Sequence, residues 1–431
     1  MQLFYNILFP IFFLLSAPYY FWKLLRRGNW REGFGQRFGG YGELKQRLSG
    51  KKVLWLHAVS VGEANLSVQL IEKLRASLEG WTFVVSTTTT TGMGELARKL
   101  PPDVHRVYYP VDWLPFVRRA FRALNPAAIV LVEAEIWPNL FWQARSAGVP
   151  MHLVNARLSE KSYRGYRRFG FLFRPLFGAL QTAGVHNEAD AKRLAELGTE
   201  SKAIAVTGNM KFDGAFEADA DAVDAHALLR KLGVADNAPV LVAGSTFDGE
   251  EILLAELLPK WRETFPDLFL VLVPRHFERA GAVLDQLKST KLKVARRTVM
   301  ETAPENPDVL LVDSTGELKS FFAVATVVFM GKSLTAQGGQ NPIEPAAAAR
   351  AIVFGPFMQN FRAVVGELLA AKGAVQVADE TELTAKISVL LGNLAQREAL
   401  GAAALGVVLA SKGASQRTAD WLGQTLRALA K

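Results

Sequence analysis

The chain has 431 residues, and half of them are hydrophobic. This length exceeds the size of a domain with a single hydrophobic core, so two domains are expected. It contains no cysteine, which excludes disulfides, zinc–thiolate sites and iron–sulfur clusters. Its formal net charge of +9 is concentrated in residues 23–52 and 157–174, and such localised charge indicates a partner of opposite charge.

The N-terminal segment, residues 2–22, carries no charge and consists mostly of Phe, Leu, Ile and Tyr. About 20 residues at about 1.5 Å each can cross a hydrocarbon core of about 30 Å. Tyr19, Tyr20 and Trp22 are typical of an interfacial aromatic belt. Basic residues follow from Lys23, and this positive charge predicts that the rest of the chain lies in the cytoplasm. The sequence therefore predicts a membrane-anchoring helix over residues 1–22.

The form of this anchor stays open at the level of sequence. Pro10 and Pro18 also fit a kinked or shallow segment, and a buried core helix is an alternative to both. An anchor next to the basic residues 23–52 predicts an anionic membrane surface as the partner of that charge, rather than nucleic acid.

Beyond the anchor, short apolar runs alternate with helical segments, as expected for parallel strands that are covered on both faces. The first set of predicted strands is 53–59, 83–88, 106–109, 128–133, 151–155, 182–186 and 203–207. The second set is 240–244, 268–273, 292–295, 309–312, 324–330, 351–355 and 374–377. The charged, alanine-rich residues 212–238 between them are expected to be a linker. We therefore predict an α/β protein with two doubly wound Rossmann-like domains facing a cleft, residues 23–211 and residues 239–431, the second ending in helices.

Ligands of doubly wound sheets bind at the carboxyl ends of the strands, so the loops that follow strands in the first half hold candidate residues. Glu63 lies in a first helical turn, where its carboxylate could accept a proton from a hydroxyl nucleophile, although Ser60 and Glu63 also form an ordinary capping box. Residues 86–92 supply hydroxyls for a sugar or phosphate, or form a solvated turn. Glu133 and Glu135 end a buried strand, where carboxylates are costly unless partnered, so they are stronger candidates.

The basic residues 157–174 follow the next predicted strand. Six Arg or Lys residues beside a membrane anchor favour a phosphorylated lipid, and a solvated helix face is the alternative.

The most informative motif of the second half is residues 338–345, a glycine-rich turn between a predicted strand and a helix start. Two glycines let a ligand approach the backbone, and the first N–H groups of the helix favour an anion. Glu344 could hold the hydroxyls of a ribose, so a nucleotide fits this motif. Asn341, Pro342 and Glu344 also make an ordinary capping box.

Two other strand-end loops of the second half have similar chemistry. Arg275 places a cation where it could reach a phosphate or a base edge. The helix start at 313–318 resembles the first motif, with a capping box of Ser314 and Glu317 as its alternative. There is no GxGxxG or P-loop, and the only DxD-like triplet, residues 219–221, lies in the expected linker, so a divalent metal is not indicated.

These motifs, in this order, resemble the 3-deoxy-D-manno-octulosonic acid (Kdo) transferases of lipopolysaccharide synthesis. The resemblance covers nearly the whole chain and includes the N-terminal anchor. The segments that carry it are 55–63, 133–139, 155–159, 207–213, 273–276 and 338–345.

The resemblance implies a GT-B fold and an inverting, metal-independent transfer of Kdo from CMP-Kdo to the lipid A precursor (lipid IVA), without a cofactor, at the cytoplasmic side of the inner membrane. It implies Glu63 as general base and Glu135 as a supporting acidic residue. The implied CMP contacts are Pro274, Arg275, Thr315, Gly316, Glu317, Asn341, Pro342, Ile343 and Glu344. Gln340 departs from the family, since many relatives are expected to carry histidine there, and donor affinity could differ as a result.

Two alternatives remain on the sequence alone. Another membrane-associated GT-B glycosyltransferase that uses a UDP-sugar would share the architecture. A non-catalytic relative that binds anionic lipid would share the charge but not the chemistry.

Overall fold

The computed structural model describes residues 1–26, 32–133, 136–216 and 222–428. The chain divides into two compact units. The first consists of Met1–Lys211 with Gly413–Lys431, and the second of Phe212–Lys412.

The first unit is built on a parallel sheet. Its strands are β1 Lys52–His57, β2 Trp81–Thr87, β3 His105–Tyr108, β4 Pro126–Val132, β5 Met151–Ala156, β6 Leu180–Val185 and β7 Ile204–Val206. The helices within Met1–Lys211 are α1 Gln2–Arg26, α2 Gly42–Arg47, α3 Val61–Arg75, α4 Thr90–Lys99, α5 Leu114–Leu124, α6 Pro138–Ser146, α7 Glu160–Arg168, α8 Gly170–Phe177 and α9 Glu188–Glu196. Within the described ranges the seven strands are ordered β3-β2-β1-β4-β5-β6-β7.

The register of β1 explains why its sequence is apolar at four successive positions, Val53 to Leu56. β1 pairs in parallel with both β2 and β4, so that Trp55 lies opposite Val84 and Ile129. Trp55 packs in the core on one face of the sheet, and its neighbours Leu54 and Leu56 pack in the core on the other face. A strand that is covered on both faces needs apolar residues at successive positions, and not only at alternate ones.

The second unit repeats this architecture. Its strands are β8 Val240–Thr246, β9 Phe269–Pro274, β10 Val294–Arg296, β11 Val309–Leu311, β12 Val327–Met330, β13 Ala351–Phe354 and β14 Val375–Gln376. Its helices are α10 Ala225–Lys231, α11 Glu250–Arg262, α12 Ala280–Leu287, α13 Leu318–Val324, α14 Ile343–Ala347, α15 Arg362–Ala370, α16 Glu380–Gly392 and α17 Leu394–Ser411. In the part of the unit that the structure describes, seven parallel strands are ordered β10-β11-β9-β8-β12-β13-β14.

Strand order determines where each sheet can hold a ligand. β1 lies between β2 and β4, and β8 lies between β9 and β12, so the chain reverses its winding direction at each of these strands. Loops that follow the two neighbours of such a switch point run to opposite sides and leave a crevice at the carboxyl edge. The motifs predicted from the sequence follow β1, β4, β9, β11 and β12, at the carboxyl edges of the two sheets.

The division into units differs from the domains expected from the sequence. The last helix, α18 Ala414–Ala428, belongs to the first unit, because Leu422 and Leu426 are buried there beside Leu70 and Leu74. Of the expected linker 212–238, the described residues belong to the second unit, where apolar side chains of α10 pack in its core.

Part of the expected anchor lies outside the described residues. Backbone is described for α1, but the side chains at 19, 20 and 22 of the predicted aromatic belt are not, nor are Arg27 and Arg31. No helix in the described part of the chain combines the length and the apolar character needed to cross a bilayer.

We expect Leu422→Ala to lower the free energy of unfolding of the first unit by about 2–5 kcal/mol, because a fully buried leucine leaves a cavity when it is truncated. Urea denaturation followed by tryptophan fluorescence measures the change. Gln424→Ala, on the exposed side of the same helix, is the matched control and is expected to change little. Equal midpoints for the two variants would show that α18 does not stabilise this unit.

Candidate active site

Glu63 is held at the start of α3 by the loop that follows β1. Its Oε2 accepts a hydrogen bond from the backbone N–H of Val59 at 2.7 Å, and its Oε1 accepts one from Ser60 Oγ at 2.7 Å. Ser60 Oγ in turn accepts from the backbone N–H of Glu63 at 3.3 Å, so the predicted capping box is present. The box and a catalytic role are compatible, because the box fixes the carboxylate at the carboxyl edge of the sheet.

Burial sets the acid–base character of Glu63, which is only 5% exposed. Desolvation raises the pKa of this carboxyl, and repulsion from Glu133 raises it further, against the hydrogen bonds from Val59 and Ser60 and the attraction of Lys211. A carboxylate with a raised pKa binds a proton more strongly than one in water, which suits a general base.

His57, the last residue of β1, is a neutral structural residue next to this loop. It is fully buried, its ring stacks on Tyr109 at 4.0 Å between centroids, and its Nδ1 lies 2.9 Å from Ser86 Oγ. Burial lowers the pKa of His57 to about 3. The imidazole therefore carries no charge at neutral pH and does not compete with Glu63 as an acid.

Two non-glycine residues at the ends of neighbouring strands adopt left-handed backbone. Glu133 follows β4 with φ 62°, and Asn155 in β5 has φ 53°. Glu133 forms an ion pair with Lys211, while Asn155 Oδ1 accepts from the Met210 N–H at 2.9 Å and lies 3.0 Å from His186 Nε2. Such strained conformations persist where surrounding contacts demand them and are frequent at functional sites.

Lys211, Asn155 and His186 were not among the site residues predicted from the sequence. Each lies at or just beyond the end of a strand, or in a motif that follows a strand. This position was the one feature of the sequence that could have indicated them as site residues. Glu135, the predicted supporting acid, lies outside the described residues. The acidic residue of this motif that the structure describes is Glu133.

The second unit contains a cavity of about 380 Å³ at the carboxyl edge of its sheet. Residues predicted from separate strand-end loops line it together: Arg275, Gly316, Asn341 and Glu344. Ser245, which has φ 52°, and Gln340, the departure from the expected family pattern, line the same space. The backbone N–H of Arg275 donates to the Thr246 carbonyl at 3.0 Å, while its exposed side chain is left to the cavity.

The other predicted residues of this half do not line the cavity. Pro274, Pro342 and Ile343 are buried, the last in the hydrophobic core, so they support the loops. Thr315 is exposed, and Glu317 pairs with Arg297, whose Nε lies 2.7 Å from Glu317 Oε2.

The capping box of Ser314 and Glu317, the alternative interpretation of this helix start, does not form. Helix α13 begins at Leu318 without a side-chain cap, and the Glu317 carboxylate accepts a hydrogen bond from Arg297, a residue 20 positions away in sequence. In the other motif, Asn341 Oδ1 accepts from the Ile343 N–H at 3.1 Å, so Asn341 closes the turn one residue before the helix cap Pro342.

Glu250 is a buried carboxylate that organises the loop after β12. Its two carboxylate oxygens accept hydrogen bonds from four backbone N–H groups: those of Phe247 at 2.9 Å, Lys332 at 2.6 Å, Ser333 at 2.9 Å and Leu334 at 3.0 Å. These bonds satisfy a fully buried charge and hold the start of the segment that leads to the cavity. Glu250 was not predicted from the sequence, since three of its four partners lie more than 80 residues away.

Residues 32–214 match the family described as 3-deoxy-D-manno-octulosonic-acid transferase (kdotransferase). The 3-deoxy-D-manno-octulosonic acid transferase of Bordetella pertussis is 33% identical, over 93% of this chain and 95% of that protein. The enzyme of the same name from Haemophilus influenzae is 30% identical, over 91% of both. The chain belongs to the Kdo transferase family.

As a Kdo transferase the chain is a glycosyltransferase of lipopolysaccharide biosynthesis, which excludes the non-catalytic alternative. UDP-GlcNAc 2-epimerase from Neisseria meningitidis, solved bound to UDP-GlcNAc, aligns with a TM-score of 0.55 over 88% of this chain and all of that one. At 12% identity this likeness concerns the fold alone. Two α/β units with parallel sheets are consistent with the predicted GT-B class. Among the described residues no group of three or more His, Asp or Glu side chains is placed to hold a metal.

We expect Gly339→Ala to destabilise the second unit by more than about 1 kcal/mol, because the residue has φ 73°, a conformation that is unfavourable for alanine. An added Cβ would also lie 2.5 Å from Met358 Sδ and 2.8 Å from Met358 Cα. Thermal unfolding measures the loss.

Gly366→Ala, in the exposed part of α15 with open space around its Cα, is the matched control and is expected to be neutral or stabilising. If Gly339→Ala melts at or above the temperature of the wild type, the left-handed turn is not required.

Proposed function

We propose that this Kdo transferase moves Kdo from CMP-Kdo to the lipid A precursor (lipid IVA), with inversion and without a metal ion. The observation that supports CMP-Kdo as the donor is that one cavity is lined together by Arg275, Gly316, Asn341 and Glu344. These residues come from three separate loops of the sequence, and a nucleotide is a ligand that needs a cation and sugar-binding polar groups in one place.

In this proposal the CMP moiety occupies the cavity of the second unit. Its phosphate gains negative charge as the bond to Kdo breaks, and the Arg275 guanidinium supplies a fixed positive charge beside it. Glu344 is half-buried and lines the same cavity, where its carboxylate would accept hydrogen bonds from ribose hydroxyls. Arg275 would thereby stabilise the charge of the leaving phosphate, as a metal ion does in other transferases.

Glu63 is the general base of the proposed reaction. Inversion by a single displacement requires one group that removes the proton of the acceptor hydroxyl as it attacks the anomeric carbon of Kdo. The raised pKa of the Glu63 carboxyl supports this role, because a stronger base takes the proton more readily. Glu135 stays a proposed supporting acid, two residues beyond Glu133 in the sequence.

The surface of α7 and α8 supports a phosphorylated lipid as acceptor. Arg164, Arg167 and Arg168 are exposed there, beside Phe169 and Phe171, which are 50% and 66% exposed. Guanidinium groups bind phosphate oxygens in a bidentate way, and exposed aromatic side chains suit acyl chains. Both chemistries occur in lipid IVA, which this proposal takes as the acceptor.

We further propose that α1 attaches the enzyme to the cytoplasmic face of the inner membrane. Large apolar side chains along this helix are exposed: Leu3, Phe4, Ile7, Leu8, Ile11, Phe12, Leu14 and Leu15. A lipid surface would cover them, and the basic residues from Lys23 onward would meet anionic head groups.

The test is release of CMP from CMP-Kdo with and without lipid IVA, with mass spectrometry of the lipid. We expect lipid-dependent release by the wild type and a decrease in kcat of about 10²–10⁴-fold in Glu63→Gln, the usual contribution of a general base. The variant is expected to fold, because the Ser60 hydroxyl can accept a hydrogen bond from the new amide instead of donating one.

Glu72→Gln, on the exposed side of the same helix, is the control and is expected to retain wild-type turnover. Unchanged turnover in Glu63→Gln would remove Glu63 from the role of base. A folded wild type that releases no CMP would refute the donor and acceptor together.

We expect Arg275→Ala to weaken CMP binding about 10- to 100-fold, because a charge-assisted hydrogen bond to phosphate contributes about 1.5–3 kcal/mol. Calorimetry with CMP measures the change, and UDP is expected to bind the wild type much more weakly than CMP. Arg230→Ala, an exposed arginine of α10, is the matched control. Stronger binding of UDP would favour the UDP-sugar alternative.

A further inference from the structure

The N-terminal helix is joined to the first unit by a polar network near its start. Tyr5 Oη donates to Asp112 Oδ2 at 3.0 Å. The side-chain amides of Asn6 and Asn139 exchange two hydrogen bonds, at 2.8 and 3.1 Å, and Asn6 Oδ1 also accepts from the Leu114 N–H at 3.1 Å. A helix that serves only as a tether has no need of such specific, partly buried hydrogen bonds.

Asp112 is the centre of this network and is almost completely buried. It accepts hydrogen bonds from the backbone N–H groups of Asn139 at 3.1 Å and Leu140 at 3.3 Å, besides the one from Tyr5. Burial raises the pKa of Asp112 to about 6, against the effect of these donors. Because burial disfavours the charged form of this carboxyl, the network depends strongly on each hydrogen-bond donor to it.

Asn139 connects this network to the candidate active site. It lies in the first turn of α6, and its Nδ2 donates to the Asp112 carbonyl at 2.7 Å. Two residues earlier, Trp137 packs against Tyr109 at 5.6 Å and His57 at 6.4 Å between ring centroids. Glu133, just after β4, forms its ion pair with Lys211 and raises the pKa of Glu63.

We propose that Tyr5 and Asn6 are positioning residues of the transferase reaction. Through Asp112 and Asn139 they hold the segment 136–139, in which Trp137 packs against Tyr109 and against His57, the last residue of the strand that leads to the loop of the base. The inference rests on the proposed function for the identity of the reaction, but its structural part does not. The helix proposed to meet the membrane thus completes the active-site loop with its opposite face.

Two side-chain changes separate positioning from packing. Tyr5→Phe removes only the hydroxyl and keeps the ring contacts with Phe9 and Trp142. Asn6→Ala removes the amide pair with Asn139. Gln2→Ala is the matched control, because it removes an exposed amide from the same helix without touching the network.

We expect full-length Tyr5→Phe and Asn6→Ala to lower kcat at least tenfold on vesicles that contain lipid IVA, since small misplacements of a catalytic segment reduce rates strongly. The KM for CMP-Kdo and co-sedimentation with vesicles are expected to stay at the wild-type values. Hydrogen–deuterium exchange is expected to accelerate in residues 136–146 and to remain unchanged in α3. Gln2→Ala is expected to match the wild type in every measurement.

Three results would overturn the proposal. Unchanged kcat and unchanged exchange in both variants would show that the network does not position the segment. A loss of activity explained fully by loss of vesicle binding would make α1 a tether only. Faster exchange without any change of kcat would show that the segment moves but does not limit the reaction. A wild type that transfers no Kdo refutes the proposed function, and exchange at 136–146 then decides the structural part separately.

Discussion

The candidate site of each unit depends on one geometric constraint, the common direction of the strands in a parallel sheet. All carboxyl ends lie at one edge, and the reversal of winding at β1 and at β8 leaves a crevice there. Glu63 and Glu133 approach each other for this reason, although 70 positions separate them. Arg275 and Asn341 meet at one cavity in the second unit for the same reason.

Desolvation at this edge acts on acids and bases in opposite directions. Burial raises the pKa of Glu63 and lowers the pKa of His57 and His186, each to about 3, because in every case it disfavours the charged form. The histidines are therefore neutral supports that hold aromatic and amide neighbours. The carboxyl group becomes the stronger base, so the same physical effect separates the scaffold from the reactive group.

The fold was largely predictable because the buried strands consist of runs of apolar residues that can be recognised in the sequence. Strands such as β1 and β12 are apolar at successive positions, and only a parallel sheet covered on both faces requires this. Each of the fourteen predicted strands overlaps a strand in the described ranges. The nucleotide-type loops could also be located, since they follow strands. The contacts of individual side chains within them were less accessible: Glu317, for which the sequence offered a nucleotide contact or a capping box, pairs with Arg297.

The sequence by itself determined the family, the two parallel α/β arrays and the loops that hold the candidate residues, because local periodicity and motif order carry that information. Only the tertiary structure decided that α18 joins the first unit, that Glu250 binds the loop after β12, and that Tyr5 and Asn6 reach Asp112 and Asn139. A local pattern shows that a side chain must be buried or hydrogen-bonded. It does not show which distant surface provides the partner, since that depends on how the whole chain packs.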